Sequence, residues 1–237
     1  MTLIPKRLLF KYEPKFRFLL FQFYKGDNFK CIVCNGKLKK FIRLNDGDKL
    51  CPNCGSISRT RRLLNIINTH FLKDGISLLD FSPSRSIYRF FKKIPTINYV
   101  STDFSGSFLS DYKYDIKKLS IENNKFDLII CYHILEHIDD DIKAMNELYR
   151  VLKKNGNCII QTPFNDGDIQ EDLSVMNAMG RLEKYGQEDH FRIYSIDGLK
   201  NRLTQSGFIV KIEEFSDSDN NRFGFHTNEK VILCTKL

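Results

Sequence analysis

No run of about 18 apolar residues occurs in the 237-residue sequence, so no membrane-spanning helix is expected. The opening "MTLIPKRLLFKYEPKF" breaks every apolar stretch with Lys, Arg, Glu or Pro, which argues for a cytoplasmic protein. Internal repeats and low-complexity tracts are missing too. A disulfide framework is disfavoured by the odd count of seven cysteines. At 42% hydrophobic composition the chain still has ample material for a core.

The most informative absence is in "LLDFSPSRS", residues 78 to 86. An apolar strand tips into a helix there, where nucleotide-binding folds carry glycines, and no glycine is present. Those glycines let the backbone approach a bulky pyrophosphate, so their absence counts against NAD, FAD and ATP. A cofactor without phosphates makes no such demand. S-adenosylmethionine offers adenine, a ribose diol, a sulfonium and one carboxylate. With Ser82 as N-cap and Pro83 as first helical residue, the turn would present helix N-terminal amides to that carboxylate.

Four of the cysteines form two pairs, Cys31-x-x-Cys34 and Cys51-x-x-Cys54, separated by 16 residues. Tetrahedral zinc takes four thiolates at about 2.3 Å, and two short turns supply them at this spacing. A closed four-thiolate set leaves no open position, so the expected metal is structural. Cys131, Cys158 and Cys234 lie in apolar runs and read as buried small hydrophobes. Arg59, Arg61 and Arg62 follow the second pair; they either grip phosphate or, the preferred reading, tie a linker to the next domain.

From about residue 76 apolar strands alternate with helices. "ISLLDF" (76 to 81), "NYVSTDF" (98 to 104), "FDLIICYH" (126 to 133) and "GNCIIQTPF" (156 to 164) read as strands covered on both faces. "DDDIKAMNELYRVLKKNG" between the last two reads as an amphipathic helix closed by Asn155-Gly156, completing a right-handed parallel unit. A late helix, "IDGLKNRLTQSG", precedes "FIVKIEEF" and "KVILCTKL", an expected edge hairpin. Ligands in such sheets bind at the carboxyl ends of the strands. Asp80, Asp103, Asp115 and Tyr132-His133 stand at those ends. Residues 1 to 30, rich in basic and aromatic side chains, have apolar spacing too irregular for a clear helix and read as an arm packed on the body.

"KFDLIICYHILEHIDDDIKAMNELYRVLKKNGNCIIQTPF" resembles the core of class I S-adenosylmethionine-dependent methyltransferases, in particular the type 11 group. The matching residues are Phe126-Asp127, Leu135-Glu136-His137, Arg150 to Lys153, Gly156 and Pro163. The cysteine ribbon and "YGQEDHFRIYS" (185 to 195) resemble a bacterial subgroup that carries both. The departure is the first motif, where Asp-x-Gly-x-Gly is replaced by "DFSPSRS". The resemblance implies an α/β Rossmann-like fold, a mostly parallel seven-stranded sheet with an antiparallel edge hairpin, preceded by a small zinc ribbon. It divides the chain into an arm (1–30), a ribbon (31–58), a linker helix (59–75) and a methyltransferase domain (76–237). Asp80, Phe81, Ser82 and Ser84 would meet the methionine end, Asp103 the ribose, Phe104, Asp115 and Ile116 the adenine, and Tyr132 and His133 the methyl-bearing sulfur.

Methyl transfer needs a positioned acceptor and, for a hydroxyl, a base near neutral pKa. His133, His137 and His190 are the candidates. Glu171, Asp172, Glu188 and Asp189 are further candidates for binding acceptor hydroxyls or a cation. The segment 165–194, longer than a plain loop, is expected to contain a short helix near Met176, Met179 and Leu182 and to cap the acceptor. The preferred acceptor is a small molecule or glycan. A nucleic acid is the second reading, favoured by the net charge of +8 but lacking an aromatic RNA motif or an Asn-Pro-Pro-Tyr signature. The third reading is a binding module that does no chemistry.

Overall fold

The computed structural model describes residues 6–216 and 221–237. Backbone contacts group the chain into two compact units, neither continuous in sequence: Met1–Asp74, Pro83–Pro95 and Phe215–Glu229 form one, and Gly75–Ser82, Thr96–Glu214 and Lys230–Leu237 the other.

The first unit starts with α1 (Lys6–Gln22), where the sequence pattern suggested no regular helix; residues 1–5 of the expected arm lie outside the described residues. Pro14 sits inside this helix and obscured its periodicity. Besides the i,i+4 pair of Glu13 with Arg17 at 2.8 Å, tertiary contacts stabilise it: Glu13 takes Arg85 at 2.8 Å and Arg89 at 2.9 Å. Phe16 and Leu19 remain largely exposed on the helix, as does Phe23 just after it. Two small antiparallel pairs follow, β1 (Lys25–Lys30) with β2 (Lys37–Leu38) and β3 (Ile42–Arg43) with β4 (Lys49–Leu50). Each pair ends beside one Cys-x-x-Cys turn. α2 (Ser58–His70) buries Leu63, Leu64, Ile66 and Ile67, and α3 (Arg85–Phe91) closes the unit.

Arg61 and Arg62 are interior residues of this unit. Arg61 is fully buried, donates to the carbonyls of Ser56, Phe223 and Gly224, and lies over the Phe41 ring. Arg62 lies against Phe215 and Phe225 and meets Glu229 at 3.5 Å. Neither is displayed to a phosphate; Arg59 is exposed.

The second unit is built on strands β5 (Ser77–Phe81), β6 (Asn98–Thr102), β7 (Phe126–Tyr132) and β8 (Leu152–Gln161), with α4 (Asp141–Val151) between the last two. Asp140 caps α4 by accepting from the Lys143 amide at 3.0 Å. The helix ends at Val151, earlier than the apolar pattern suggested, because Leu152 already belongs to the strand; both residues are fully buried. Short strands β9 (Phe164–Asn165) and β10 (Gln170–Glu171), helix α5 (Ala178–Tyr185) and β11 (Arg192–Ser195) follow. Helix α6 (Ile196–Gln205) leads to β12 (Ile209–Phe215) and β13 (Glu229–Thr235).

The main sheet runs β12-β13-β8-β7-β5-β6. Neighbours among β5, β6, β7 and β8 are parallel, and β13 is antiparallel to β8, with Cys158 opposite Cys234. Six strands form among the described residues, not seven. Where a further edge strand was expected, near Asp115, only a single bridge joins Tyr112 to Thr102. The polar "SDYKYD" run has too few apolar positions to bury a strand. The core gathers Leu79, Ile129, Cys131, Met145, Leu148, Cys158, Ile160, Tyr194, Leu199, Phe208 and Ile232.

Candidate active site and thiolate cluster

The turn after β5 does without glycine by giving a serine a glycine-like backbone. Ser82 has φ 46°, in the left-handed region, which costs a side-chain-bearing residue roughly 1–2 kcal/mol. Its amide donates to the Thr102 carbonyl at 2.7 Å, and its hydroxyl donates to Asp103 Oδ1 at 2.7 Å, anchoring the strained residue to the tip of β6. Ser82 is therefore not the N-cap expected from the sequence. Pro83 disfavours the right-handed region for the residue before it, and the helix starts later, with Ser84 as cap of α3 and its hydroxyl facing the Ile87 amide at 3.4 Å.

Asp80 is 1% exposed and accepts from the Tyr99 hydroxyl at 3.0 Å. Burial pushes its acid up to about 8 against the pull of that hydrogen bond, so the group is mostly protonated near neutral pH. Asp103 is also buried and accepts from the hydroxyls of Ser82 and Ser105 and, at 3.1 Å, from the Phe108 amide. Phe104 beside it is exposed, with Lys113 over its ring. Phe81 and Ile116 are core residues, so side-chain contact with a ligand is not what buries them. Asp115 is half-buried and accepts the Lys117 amide at 2.9 Å.

Past the tip of β7 the three histidines singled out in the sequence converge. His133 follows Tyr132 in the left-handed region at φ 55°, a strained position of the kind that concentrates at functional sites. Its Nδ1 lies 3.2 Å from Glu136 Oε1. Glu136 and His137 belong to one 3₁₀ turn, Leu135–His137. The His137 and His190 rings meet edge to face at 4.7 Å between centroids, and His137 Nδ1 is 3.1 Å from Asp189 Oδ2. Burial, then the neighbouring His137, hold His190 below the usual histidine pKa. Glu136 was legible only as part of a motif. The signal that could have given it a role is the spacing His-x-x-Glu-His, which puts all three side chains on one turn.

The other candidate carboxylates are engaged elsewhere. Glu171 pairs with both Arg192 and Arg202. The same two arginines reach Asp141, which also accepts from the Tyr194 hydroxyl. Asp172 pairs with Lys184 at 2.6 Å. Sequence reasoning did not single out Arg192, Tyr194 or Arg202, which fasten β11 and α6 to the region after β7. Glu188 is exposed.

In the first unit the four cysteine sulfurs lie together, with Cys31 Sγ 3.6 Å from Cys54 Sγ and Cys34 Sγ 3.8 Å from Cys51 Sγ. A tetrahedron of sulfurs about 2.3 Å from its centre has edges of about 3.8 Å. Two of the six edges match that length and all four sulfurs lie within 4.8 Å of one another, a spacing compatible with a common ion. Ser56 Oγ is 3.2 Å from the sulfurs of Cys31 and Cys54.

These features define a class I S-adenosylmethionine-dependent methyltransferase fold. A methyltransferase domain family matches residues 56–211, and the chain belongs to it. Three curated relatives are named tRNA U34 carboxymethyltransferase. That of Campylobacter fetus subsp. fetus is 26% identical over 208 residues, covering 78% of this chain and 67% of the relative. An uncharacterized protein of Methanocaldococcus jannaschii is 31% identical over 128 residues, 51% of this chain and 54% of that protein. This chain covers between 36% and 54% of the length of the first three relatives. Among solved structures, a SAM-dependent methyltransferase from Archaeoglobus fulgidus superposes with TM-score 0.53 at 19% identity, over 75% of this chain and 91% of that one.

Proposed function

We propose that this chain is an S-adenosylmethionine-dependent methyltransferase whose acceptor is RNA, with transfer RNA as the substrate class. The observation that carries the acceptor is the relative named for tRNA U34, aligned over 78% of the chain. That alignment reverses the order suggested by the sequence, which put a small molecule or glycan first. The net charge of +8 supports an anionic polymer as partner.

The residues at the strand tips fit the cofactor. In the structure Asp103 accepts from two serine hydroxyls of the chain itself, the same kind of bond that a ribose diol would make in their place. Asp80, Ser82, Phe104, Asp115 and Tyr132 complete the cofactor-binding set. When bound, S-adenosylmethionine supplies an electrophilic methyl group. The chain's own task is to position the acceptor and remove its proton. We assign the proton to His133: Glu136 faces its Nδ1, and its Nε2 has no hydrogen-bond partner among the described residues. The four cysteines of the first unit hold a structural zinc ion in this reading.

The test is transfer from radiolabelled S-adenosylmethionine to total tRNA, to a glycan pool and to a small-molecule pool. Nuclease-releasable label in tRNA, absent with Asp103→Ala, is expected. Mass spectrometry of the nucleosides then identifies which nucleoside carries the added methyl group. Label confined to glycans or small molecules would overturn the RNA reading.

A further inference from the structure

The histidine cluster contains more than a base requires. Glu136 is 1% exposed and His190 4% exposed, yet Glu136 Oε2 and His190 Nδ1 have no hydrogen-bond partner among the described residues. The Nε2 of His133 shares that condition, while Glu136 Oε1 and His137 Nδ1 are faced by His133 and Asp189 at 3.2 and 3.1 Å. Buried polar atoms normally find partners, and three that do not, on three neighbouring side chains, need an explanation. One ligand atom from each of Glu136, His137 and His190 falls within 4.8 Å of the other two.

We infer that Glu136, His137 and His190 form a second metal site, for a first-row divalent ion such as Mn2+, Fe2+ or Zn2+. Two imidazoles and one carboxylate are a donor set that such ions take with coordination positions left open. It differs in kind from the closed set of four thiolates. Ligand atoms about 2.1 Å from a common ion stand about 3 to 3.5 Å apart, so the three close in by small side-chain rotations.

The surroundings hold the ligands in place as metal sites usually do. The Phe191 amide donates to the Glu136 carbonyl at 2.8 Å, bringing His190 against the turn that bears the other two ligands. Arg192, one residue further, donates to the carbonyls of Leu135, Ile138 and Asp139, fixing that turn from the other side. His133 faces one oxygen of Glu136 and leaves the other free, and Asp189 faces His137. Metal ligands are oriented by just such outer hydrogen-bonding groups.

The metal site itself does not depend on the acceptor being RNA. Resting on the methyltransferase reading, an ion with open positions after β7 would polarise an acceptor oxygen and ease loss of its proton to His133.

Manganese is the probe, because thiolate sites select softer ions and a hard, oxygen- and imidazole-seeking ion bypasses the cysteines. Purified full-length protein, stripped of loosely bound ions and without cofactor or RNA, is titrated with Mn2+ and free ion is followed by electron paramagnetic resonance. One equivalent bound per chain is expected. Glu136→Gln and His190→Asn should each weaken binding at least tenfold while far-ultraviolet circular dichroism stays at the parent spectrum. His133→Asn should weaken it less, and Cys54→Ser should leave it unchanged. No Mn2+ binding by folded protein, with zinc analysis finding no second equivalent, would overturn the site. So would binding that Glu136→Gln and His190→Asn leave intact. If a variant fails to fold, the isosteric Glu136→Gln alone decides. Binding is read without catalysis, so this test can succeed or fail whatever the transfer assay shows.

Discussion

Ser82 reaches across from the end of β5 and places its hydroxyl 2.7 Å from the carboxylate of Asp103 at the end of β6. That bond joins the two strand tips where the family's glycines would stand. A serine forced into the left-handed region is held there by the acidic group expected to bind sugar. The turn thus couples backbone strain to the carboxylate of Asp103.

Substitution of Ser82 tests the strain. Glycine adopts the left-handed region freely and alanine does not, while both lose the bond to Asp103. Ser82→Gly is expected to be more stable than Ser82→Ala by about 1 kcal/mol in urea unfolding. Equal stabilities would show that the corner is not left-handed.

Asp103→Ala should lower affinity for S-adenosylmethionine at least tenfold, since a charged acceptor of two hydroxyls is lost. Calorimetric titration of cofactor and of its demethylated product checks this. Parent-like affinity in the variant would remove Asp103 from the site.

Asp80 gives a pH signature. Its folded pKa, raised to about 8 by burial, stands far above that of an unfolded aspartate. The folded state therefore holds a proton that the unfolded chain releases, and this contribution to stability is full below about pH 4 and declines as pH rises toward 8. Asp80→Asn cannot lose a proton. Its stability relative to the parent should rise by up to about 1.4 kcal/mol per pH unit across that window. Unfolding of both proteins by urea at several pH values reads the difference, and a pH-independent difference would contradict the burial of Asp80.

The arginines after the second cysteine pair separate structure from surface. Arg61→Ala leaves two buried carbonyls and one half-buried carbonyl without their donor and should destabilise the protein by about 3 kcal/mol or more. Arg59→Ala, at an exposed position, should stay within about 0.5 kcal/mol of the parent. Thermal unfolding of the two variants distinguishes these outcomes.

The parallel strands were legible because Leu78-Leu79, Leu128 to Cys131 and Cys158 to Ile160 are continuous apolar runs, which only a sheet covered on both faces produces. The cysteine pairs were legible because their spacing is local. α1 was hidden because its stability comes from Glu13 meeting Arg85 and Arg89, more than 70 positions away in the chain. The same distance effect concealed the network around Arg192, whose partners Glu171 and Asp141 are far from it in sequence and alike as surface carboxylates. His190 was picked out by its motif. Its meeting with Glu136 depends on the backbone bond between Phe191 and Glu136, which no local pattern announces.

Cys131, Cys158 and Cys234 are completely enclosed, and burial pushes their thiols up, away from the reactive thiolate form. With the ribbon sulfurs occupied by zinc, native molecules would give an alkylating reagent nothing to attack. Each opening of the sheet would expose a trio of silent sulfurs at once. The rate of their modification then serves as an intrinsic clock for global unfolding, with no dye or engineered label required.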